Sequence, residues 1–425
     1  MQPNGKGTMT FSGGTLKGAV TPPPSKSHTH RAFFLSALSS KECKVSNALN
    51  SQDTISTLNA VRAMGADARR LCDKIRIKGT ELHAPADVVD AGNSGTTMRL
   101  FTGIVSMFDS PVTITGDSSL RSRPMGPLLD ALEEMGVECK SNEGRAPVTI
   151  RGPNKGGNVS IRGDMSSQFV SSLMMAAPML RNDTTISIKG NLSSRPYVDI
   201  TKNMMERFGA DVRMTDDEIT VRGNAGYSGC DITVPADLSS AAFPLTAGAL
   251  GGTVTVKKVD LNDPQGDKRI VDILRDAGSH VTVKNDAITA SSGELNGIDV
   301  NMNDIPDLFP VVAVLLSTAK GKSRLYGAPQ LRFKESDRIR ATVDMLSSLG
   351  ADIEGTDDGC VINGVERLKG GNIEHHEDHR ILMAAAVASL VCDNAVTMKK
   401  SDCYDVSYPL FLEHMRLLGM LTEVE

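Results

Sequence analysis

The sequence lacks paired cysteines, long apolar runs and blocks of like charge. Its 7 cysteines are widely spaced and form no CxxC pair, so we expect reduced thiols rather than a disulfide or zinc framework. The longest apolar stretches, "PVVAVLLSTA" and "ILMAAAVASLVC", are far shorter than the roughly 20 residues of a membrane span. The start, "MQPNGKGTMTF", contains no apolar signal segment. We therefore predict a soluble protein located in the cytoplasm.

Motifs for nucleic acids, nucleotides and metals are also missing. Lys and Arg are scattered and the net charge is only -5, which argues against a nucleic-acid partner. Neither GxxxxGK[ST] nor a GxGxxG after a strand occurs, so no nucleotide is indicated. His375 and His379 have i, i+4 spacing in "HHEDHR", but no third ligand cluster accompanies them. We predict neither a metal nor a cofactor.

Glycines at a nearly constant spacing reveal internal repeats. Each glycine follows a helical pattern and is predicted to end that helix in the left-handed conformation. Alternating strands come next, as in "VRMTDDEITVRG". Polar clusters that open the following helix recur in the same phase, so each repeat of about seventy residues has the order βαβαββ. The glycines, 71, 73, 69, 72 and 69 residues apart, are Gly65, Gly136, Gly209, Gly278, Gly350 and Gly419.

The sixth repeat stops at "LLGMLTEVE", before its closing strands. Residues 8–23 match the missing strands, so we predict that the N-terminal segment completes the last repeat. The fold class would be α/β (α+β) with two lobes of three repeats each. One lobe would span residues 24–233, and the other would combine residues 1–23 with residues 234–425. Connections near residues 22–24 and near Pro235 would act as hinges.

The polar clusters suggest an anion site. A helix N-terminus presents unpaired N–H groups and the positive end of the helix dipole, which together attract anions. Arg and Lys in the same segments, as in "SKSHTHR" and "NSGTTMR", would add charge-assisted contacts. We predict a cleft between the lobes that holds a small substrate with phosphates or carboxylates. The clusters lie at Lys26, Ser94, Ser166, Ser239, Asp307 and His379.

Eight motifs, in order along the whole chain, resemble those of the 5-enolpyruvylshikimate-3-phosphate (EPSP) synthase family. They are "SKSHTHR", "GNSGTTMR", "GDSSLRSRP", "GDMSSQF", "SSRPY", "QGDKR", "LRFKESDR" and "EDHR". The resemblance implies a two-lobed inside-out α/β barrel with three βαβαββ units per lobe. It also implies transfer of an enolpyruvyl group from phosphoenolpyruvate to the 5-hydroxyl of shikimate 3-phosphate with release of phosphate. Addition would give a tetrahedral ketal, which elimination would then resolve.

The resemblance further implies roles for individual residues. The catalytic residues would be Asp307, Glu335 and Lys26, the first two as the acid/base pair. The residues that match contacts to shikimate 3-phosphate are Ser27, Arg31, Ser166, Ser167, Gln168, Ser194, Tyr197, Asp307, Gln330 and Lys334. The residues that match contacts to phosphoenolpyruvate are Lys26, Asn93, Gly95, Arg123, Gln168, Arg338, His379 and Arg380.

Two positions depart from the enteric and plant form of the family. Gln330 stands where that form has Asn, and Val406 stands where it has a Lys on phosphoenolpyruvate. Because Val406 lacks the positive charge of that Lys, both the affinity for phosphoenolpyruvate and the sensitivity to the inhibitor glyphosate can differ from those of the enteric and plant form.

Two alternative functions stay open at this point. UDP-N-acetylglucosamine enolpyruvyl transferase shares the fold and the chemistry, but its usual signature has a Cys in the loop aligned with "GDSSLRSRP" and an Asn after the first Lys. This sequence has no Cys in that loop and has Ser27 after Lys26, which favours shikimate 3-phosphate. The second alternative is a non-catalytic anion-binding repeat protein. The expected partners are the two small substrates, without nucleic acid or membrane, and the chain is expected to act as a monomer.

Overall fold

The computed structural model describes residues 7–72, 74–79 and 81–425, so residues 1–6 of the predicted N-terminal lobe segment lie outside the described residues. The helices of the described chain are α1 (Lys26–Ala37), α2 (Gln52–Ala63), α3 (Gly95–Val105), α4 (Ser118–Ser122), α5 (Gly126–Glu134), α6 (Ser167–Ala176), α7 (Arg195–Arg207), α8 (Leu238–Gly251), α9 (Ile270–Asp276), α10 (Phe309–Leu316), α11 (Arg338–Ser348), α12 (His379–Ala388) and α13 (Phe411–Leu418).

The strands of the described chain are short and many. They are β1 (Thr8–Phe11), β2 (Leu16–Val20), β3 (Cys43–Ser46), β4 (Asp67–Leu71), β5 (Lys74–Lys78), β6 (Val89–Asp90), β7 (Val112–Thr115), β8 (Glu138–Asn142), β9 (Arg145–Arg151), β10 (Gly157–Arg162), β11 (Thr184–Lys189), β12 (Val212–Met214), β13 (Glu218–Val221), β14 (Ile232–Thr233), β15 (Gly252–Lys257), β16 (His280–Lys284), β17 (Ala287–Ser291), β18 (Asp299–Asn301), β19 (Lys322–Tyr326), β20 (Asp352–Thr356), β21 (Gly359–Asn363), β22 (Gly371–Ile373), β23 (Val396–Lys399) and β24 (Thr422–Val424).

The chain divides into two compact units, and each has its own hydrophobic core. Unit 1 comprises Met1–Pro23 and Ala236–Glu425, and unit 2 comprises Pro24–Pro235. The second sequence-based boundary, between residues 233 and 234, lies slightly before the observed division at Pro235. In unit 2, the Ser25 N–H donates to the Pro235 carbonyl at 2.8 Å, so the two ends of that unit are hydrogen-bonded together.

The sheets share one strand pattern. In the described part of each unit they are four-stranded, with one parallel edge pair followed by two antiparallel pairs. The sheet orders in unit 1 are β22-β23-β1-β24, β16-β17-β15-β2 and β18-β19-β21-β20. Those in unit 2 are β10-β11-β13-β12, β14-β3-β5-β4 and β6-β7-β9-β8. The predicted mixture of helix and strand is confirmed.

The N-terminal segment is shared between two sheets, which corrects part of the sequence-based prediction. β1 pairs with β23 and β24 and so joins the sheet of the last repeat. β2, also expected there, pairs in parallel with β15 instead. The reason is that a parallel pair needs a crossover, usually a helix, between its strands. β2 comes directly before the chain enters unit 2, so its parallel partner is the strand after α8, where the chain has returned to unit 1.

Apolar helices form the interior of each unit. Every residue of α10 ("FPVVAVLL") and of α12 ("HRILMAAAVA") is buried, as expected for helices that are apolar on all sides. The helix-ending glycines have φ between +82° and +111°, which confirms their predicted left-handed conformation. Among the described residues, no helix combines the length and apolar character needed to cross a bilayer.

Candidate active site

Serine side chains cap three helices of unit 2 where the sequence predicts anion sites. Ser25, Ser94 and Ser166 precede α1, α3 and α6, and each accepts a hydrogen bond from a backbone N–H of the first turn. Ser194 precedes α7 in the left-handed conformation, with φ of 58°. These caps fix the path of the backbone into each helix. They thereby fix the positions of the polar residues at the helix starts.

Lys26 opens α1 and forms an ion pair with Asp53 near the start of α2. The Nζ–Oδ2 distance is 3.1 Å, and the two side chains are only 14% and 8% exposed. Ser27 comes next and is half-buried. Because the ion pair joins the first turns of two helices, it holds the ammonium group in one place. A cation held in this way can bind a phosphate or a carboxylate.

A second cationic group surrounds the start of α3. The Arg123 guanidinium donates to the Asn93 amide oxygen at 2.7 Å, and the Asn93 amide nitrogen donates to Asp117 at 2.7 Å. A Cβ added at Gly95 would lie 3.1 Å from Arg123 Nη1, so glycine allows this close approach. Within the described chain, the buried Arg123 Nε has no hydrogen-bond partner. Arg123 therefore keeps a donor for an anion.

Gln168 is held by residues of the neighbouring helix. Arg99 on α3 donates to the Gln168 side-chain oxygen at 2.8 Å, and the Gln168 amide donates to Thr96 at 2.9 Å. Arg99 also lies over the Phe169 ring, at 5.2 Å from its centroid. Ser167, beside Gln168 in the first turn of α6, is buried. The contacts fix the amide orientation, so Gln168 presents one defined face to a ligand.

Arg31 is deeply buried, at 1% exposed. Its guanidinium donates to the Thr201 hydroxyl at 2.8 Å and to the carbonyls of Ser27 and Tyr197 at 3.0 and 3.1 Å. Burial lowers the pKa of Arg31 to about 10, although Tyr197 acts in the opposite direction. Arg31 thus joins α1 to α7 and supports the positions of Ser27 and Tyr197.

In unit 1, one guanidinium gathers three carboxylates. Arg338, which is 1% exposed, lies 2.9 Å from Asp307, 2.5 Å from Glu335 and 3.1 Å from Asp378. Burial lowers the pKa of Arg338, but Asp378, Glu335 and Asp307 together raise it above its ordinary value. In the described chain four of its five N–H groups donate to these acids. At most one remains to contact phosphoenolpyruvate, the role that the family resemblance implies.

Arg380 binds the same Asp307 from another side. Its guanidinium lies 3.1 Å from the Asp307 carboxylate and donates to the Asp307 carbonyl at 3.3 Å. Asp378 caps α12, and burial raises its pKa, but Arg338 holds that pKa below the ordinary value. His379, the first residue of α12, is buried beside these groups. Asp307 and Glu335 are 18% and 20% exposed, so both can still reach a ligand.

The other predicted residues of unit 1, Gln330 and Lys334, shortly precede Glu335 in the chain. Gln330 is buried, and its amide donates to the Asn303 carbonyl at 3.1 Å. Lys334 is half-buried and directly precedes Glu335. Val406, which replaces the expected cation, is half-buried in a short 3-10 helix, Cys403–Val406. A valine carries no charge, so the positive charge that a Lys would supply must come from the other cations of the site.

A possible metal group lies beside the cluster, but its histidine is already used. His375, Glu377 and Cys403 have ligand atoms within 4.8 Å of one another. The His375 Nδ1 accepts from the Glu377 N–H at 3.1 Å, and its Nε2 lies 3.1 Å from the Lys399 carbonyl. Both ring nitrogens therefore have backbone partners, and a metal would have to displace one of them.

Asp267 is a buried acid in the middle of the "QGDKR" motif. The Ser239 hydroxyl donates to one of its oxygens, whereas the other has no hydrogen-bond partner in the part of the chain that is described. Burial raises the pKa of Asp267 to about 7, and the nearby Asp307 adds to the rise. The carboxyl is therefore easier to protonate in the folded state than in the unfolded state.

This shift predicts a pH dependence of stability. Between pH 3.8, the ordinary pKa, and about 7, folded Asp267 binds more protons than unfolded Asp267, so its contribution to stability falls as pH rises. Asp267→Asn should flatten the decline of the unfolding free energy across this range, measured by urea titration at several pH values. Asp276→Asn, at an exposed position of unit 1, is the control. Parallel profiles for wild type and Asp267→Asn would contradict the prediction.

The sequence-based assignment missed three acids that hold predicted site residues in place. Asp53 binds Lys26, Asp117 binds Asn93, and Asp378 binds Arg338. A signal was present, because Asp53, Asp117 and Asp267 all occur in the recurring loop before the second helix of a repeat, in "NSQDTIS", "GDSSLRSRP" and "QGDKR". The recurring acid predicts such a partner role for Asp53 and Asp117, whereas Asp378 lies outside this loop series.

Comparisons with known proteins agree over nearly the whole chain. A family model described as EPSP synthase (3-phosphoshikimate 1-carboxyvinyltransferase) matches residues 12–415. A 3-phosphoshikimate 1-carboxyvinyltransferase of Methanocorpusculum labreanum is 47% identical over 407 residues, which are 95% of this chain and 96% of that protein. One from Methanocella arvoryzae is 42% identical over 414 residues, 96% and 97% of the two chains. A solved EPSP synthase from Acinetobacter baumannii has a TM-score of 0.83 at 30% identity, and covers 99% of this chain and 100% of its own.

Proposed function

The chain belongs to the EPSP synthase family, and from this premise we propose how its residues carry out the reaction. The activity is transfer of the enolpyruvyl group of phosphoenolpyruvate to the 5-hydroxyl of shikimate 3-phosphate with release of phosphate, a step of aromatic amino acid biosynthesis. The relatives carry this name rather than that of the UDP-N-acetylglucosamine enzyme, and a non-catalytic role is likewise not favoured.

One observation carries the proposed mechanism: a single buried guanidinium, Arg338, holds Asp307 and Glu335 together. Addition needs a base for the 5-hydroxyl and an acid that protonates C3 of phosphoenolpyruvate, while a C–O bond forms at C2. Elimination then removes a proton from the new methyl group as the bond to phosphate breaks. Asp307 would receive the hydroxyl proton, and Glu335 would deliver and later remove the proton at C3.

The other predicted residues would bind the two anions. Lys26, Asn93, Gly95, Arg123 and Arg380 would serve phosphoenolpyruvate. Ser166 and Lys334 would serve shikimate 3-phosphate, and Gln168 would contact both substrates. Support comes from the buried ion pair of Lys26 and from the spare donor of Arg123. That both units act on the same pair of substrates in one cleft stays a prediction. We also propose a monomer in the cytoplasm, where reducing conditions would preserve the 7 free thiols.

The test of the activity is phosphate release in the presence of both substrates. Shikimate 3-phosphate is titrated with and without phosphoenolpyruvate, and UDP-N-acetylglucosamine replaces it in a parallel series. Phosphate and the enolpyruvyl ether should form only when shikimate 3-phosphate and phosphoenolpyruvate are both present. Turnover with the UDP-sugar instead would overturn the assignment.

Removing a proposed phosphoenolpyruvate contact should weaken its use selectively. Lys26→Met or Arg123→Ala each removes a charge-assisted hydrogen bond, worth about 1.5 to 3 kcal/mol, so kcat/KM for phosphoenolpyruvate should fall about 10- to 150-fold. Steady-state kinetics at low phosphoenolpyruvate measure the effect. Arg69→Ala, which removes an exposed cation of unit 2, should change nothing. Wild-type kinetics in either site variant would refute its assignment.

A further inference from the structure

A buried hydrogen-bond chain runs beneath the cations of unit 2. His30 Nδ1 lies 2.6 Å from the Thr57 hydroxyl, which lies 2.7 Å from the Thr97 hydroxyl. The Thr97 hydroxyl donates to the Ser94 hydroxyl oxygen at 2.7 Å. All four side chains have 0% exposure. The series of hydrogen bonds therefore joins α1, α2 and α3 through polar atoms that water does not reach.

This series of hydrogen bonds lies directly behind the proposed phosphoenolpyruvate residues. His30 follows Lys26 by four residues on α1, and Thr57 follows Asp53 by four on α2, so each lies one helical turn behind its charged neighbour. The start of α3 is similar, although Asn93 is uncharged and precedes the helix. Thr97 lies four residues after Asn93, and Ser94, where the chain ends, stands between Asn93 and Gly95.

The direction of the hydrogen bonds can be derived. His30 Nε2 is buried and has no partner within the described residues. An unpaired N–H costs more than an unpaired acceptor, so the proton belongs on Nδ1. His30 then donates to Thr57, and Thr57 donates to Thr97. The Thr97 hydroxyl donates to Ser94 at 2.7 Å, and the Asp53 carbonyl lies within reach as a second acceptor at 3.3 Å. Burial, with Lys26 and Arg31 nearby, lowers the pKa of His30, so the ring stays neutral and this order persists at physiological pH.

We propose that His30, Thr57, Thr97 and Ser94 form a positioning network that sets Lys26, Asp53 and Asn93 at the spacing phosphoenolpyruvate requires. The inference rests on the proposed function, because it needs Lys26 and Asn93 to bind that substrate. The Thr57 hydroxyl accepts from His30 and donates to Thr97, so its loss leaves unsatisfied atoms on both α1 and α3. The helix starts would then shift relative to one another. None of the four residues needs to touch the substrate.

The test separates positioning from stability. Thr57→Val keeps the side-chain shape but removes the hydroxyl, and it should raise KM for phosphoenolpyruvate about tenfold. KM for shikimate 3-phosphate should change less than about twofold, and Thr57→Ser should restore the wild-type value. The matched control is Thr113→Val, which removes a 2.9 Å threonine–threonine contact between β7 and β9 of the same unit. It should leave both KM values unchanged.

A second pair of variants tests the other end of the chain. Asn can place an amide donor near the position of His30 Nδ1, so His30→Asn should retain wild-type KM while His30→Leu behaves like Thr57→Val. A lower melting temperature with both KM values unchanged in Thr57→Val, or equal kinetics of His30→Asn and His30→Leu, would overturn the inference. Failure of the proposed function itself is distinguishable, because then the wild type would release no phosphate from the two substrates.

Discussion

Glu335→Gln is expected to lose turnover by at least about 10²-fold while still binding shikimate 3-phosphate. Gln keeps the shape of Glu335 and can still accept the hydrogen bond from Arg338, which in the wild type spans 2.5 Å. It cannot donate and recover the proton that addition and elimination require. Because Glu335 is 20% exposed, its loss should affect chemistry more than folding.

Isotope exchange makes this prediction specific to the proposed route. A proton added at C3 gives a methyl group, which can rotate before elimination, so any of its hydrogens can leave. In D2O the wild type should place deuterium in the enolpyruvyl methylene of the product and in phosphoenolpyruvate recovered before completion. Glu335→Gln should lose this exchange together with turnover.

Proton NMR of both compounds measures the exchange, and calorimetry measures binding of shikimate 3-phosphate. Glu366→Gln, an exposed substitution in the same unit, is the control and should exchange like the wild type. Product without deuterium from the wild type would refute addition and elimination. Undiminished exchange in Glu335→Gln would move the acid/base role elsewhere, with Lys26 and Asp307 the next candidates.

Local features of the fold were predictable, whereas strand partners were less so. The conformation of Gly65 and its counterparts follows from their position after a helix, because helix C-termini select glycine for left-handed backbone. The sheet that β2 joins could not be derived in the same way. Its partner, β15, lies more than two hundred residues away in the chain, and an alternating pattern specifies a strand but not its neighbour.

The candidate site shows the same limit. Helix starts such as those of α1 and α3 were predictable, since capping serines and nearby cations are close in sequence. The partners of those cations were not, because Asp53 reaches Lys26 through packing of two helices. Likewise, the sequence places Arg338 three residues from Glu335, but its bonds to Asp307 and Asp378 depend on distant segments. Residue type therefore indicated the chemistry, and tertiary contacts decided which donors remain for substrate.

Arg338→Met is expected to destabilise unit 1 by about 3 to 5 kcal/mol, because it leaves the fully buried Asp378 carboxylate without its cation. Asp378 has no solvent exposure and loses both guanidinium contacts, and Asp307 loses one of its two arginines. Arg338→Lys should lie between wild type and Arg338→Met, since one ammonium cannot reproduce the forked contacts. Urea unfolding gives the free energies. Arg340→Met, at a position 78% exposed on the same helix, is the control and should cost less than about 1 kcal/mol.

The pH profile of Arg338→Met follows from the pKa of Asp378. In the wild type Arg338 holds that pKa below its ordinary value, so the pair stabilises the fold above the unfolded pKa, and this stability is lost as pH falls. Without the cation, burial raises the pKa of Asp378. The ionised carboxylate then destabilises the fold, and protonation removes this destabilisation. The difference in unfolding free energy between wild type and Arg338→Met should therefore be largest near neutral pH and shrink toward pH 4. A difference that stays constant with pH would mean that lost packing, rather than an uncompensated charge, explains the destabilisation.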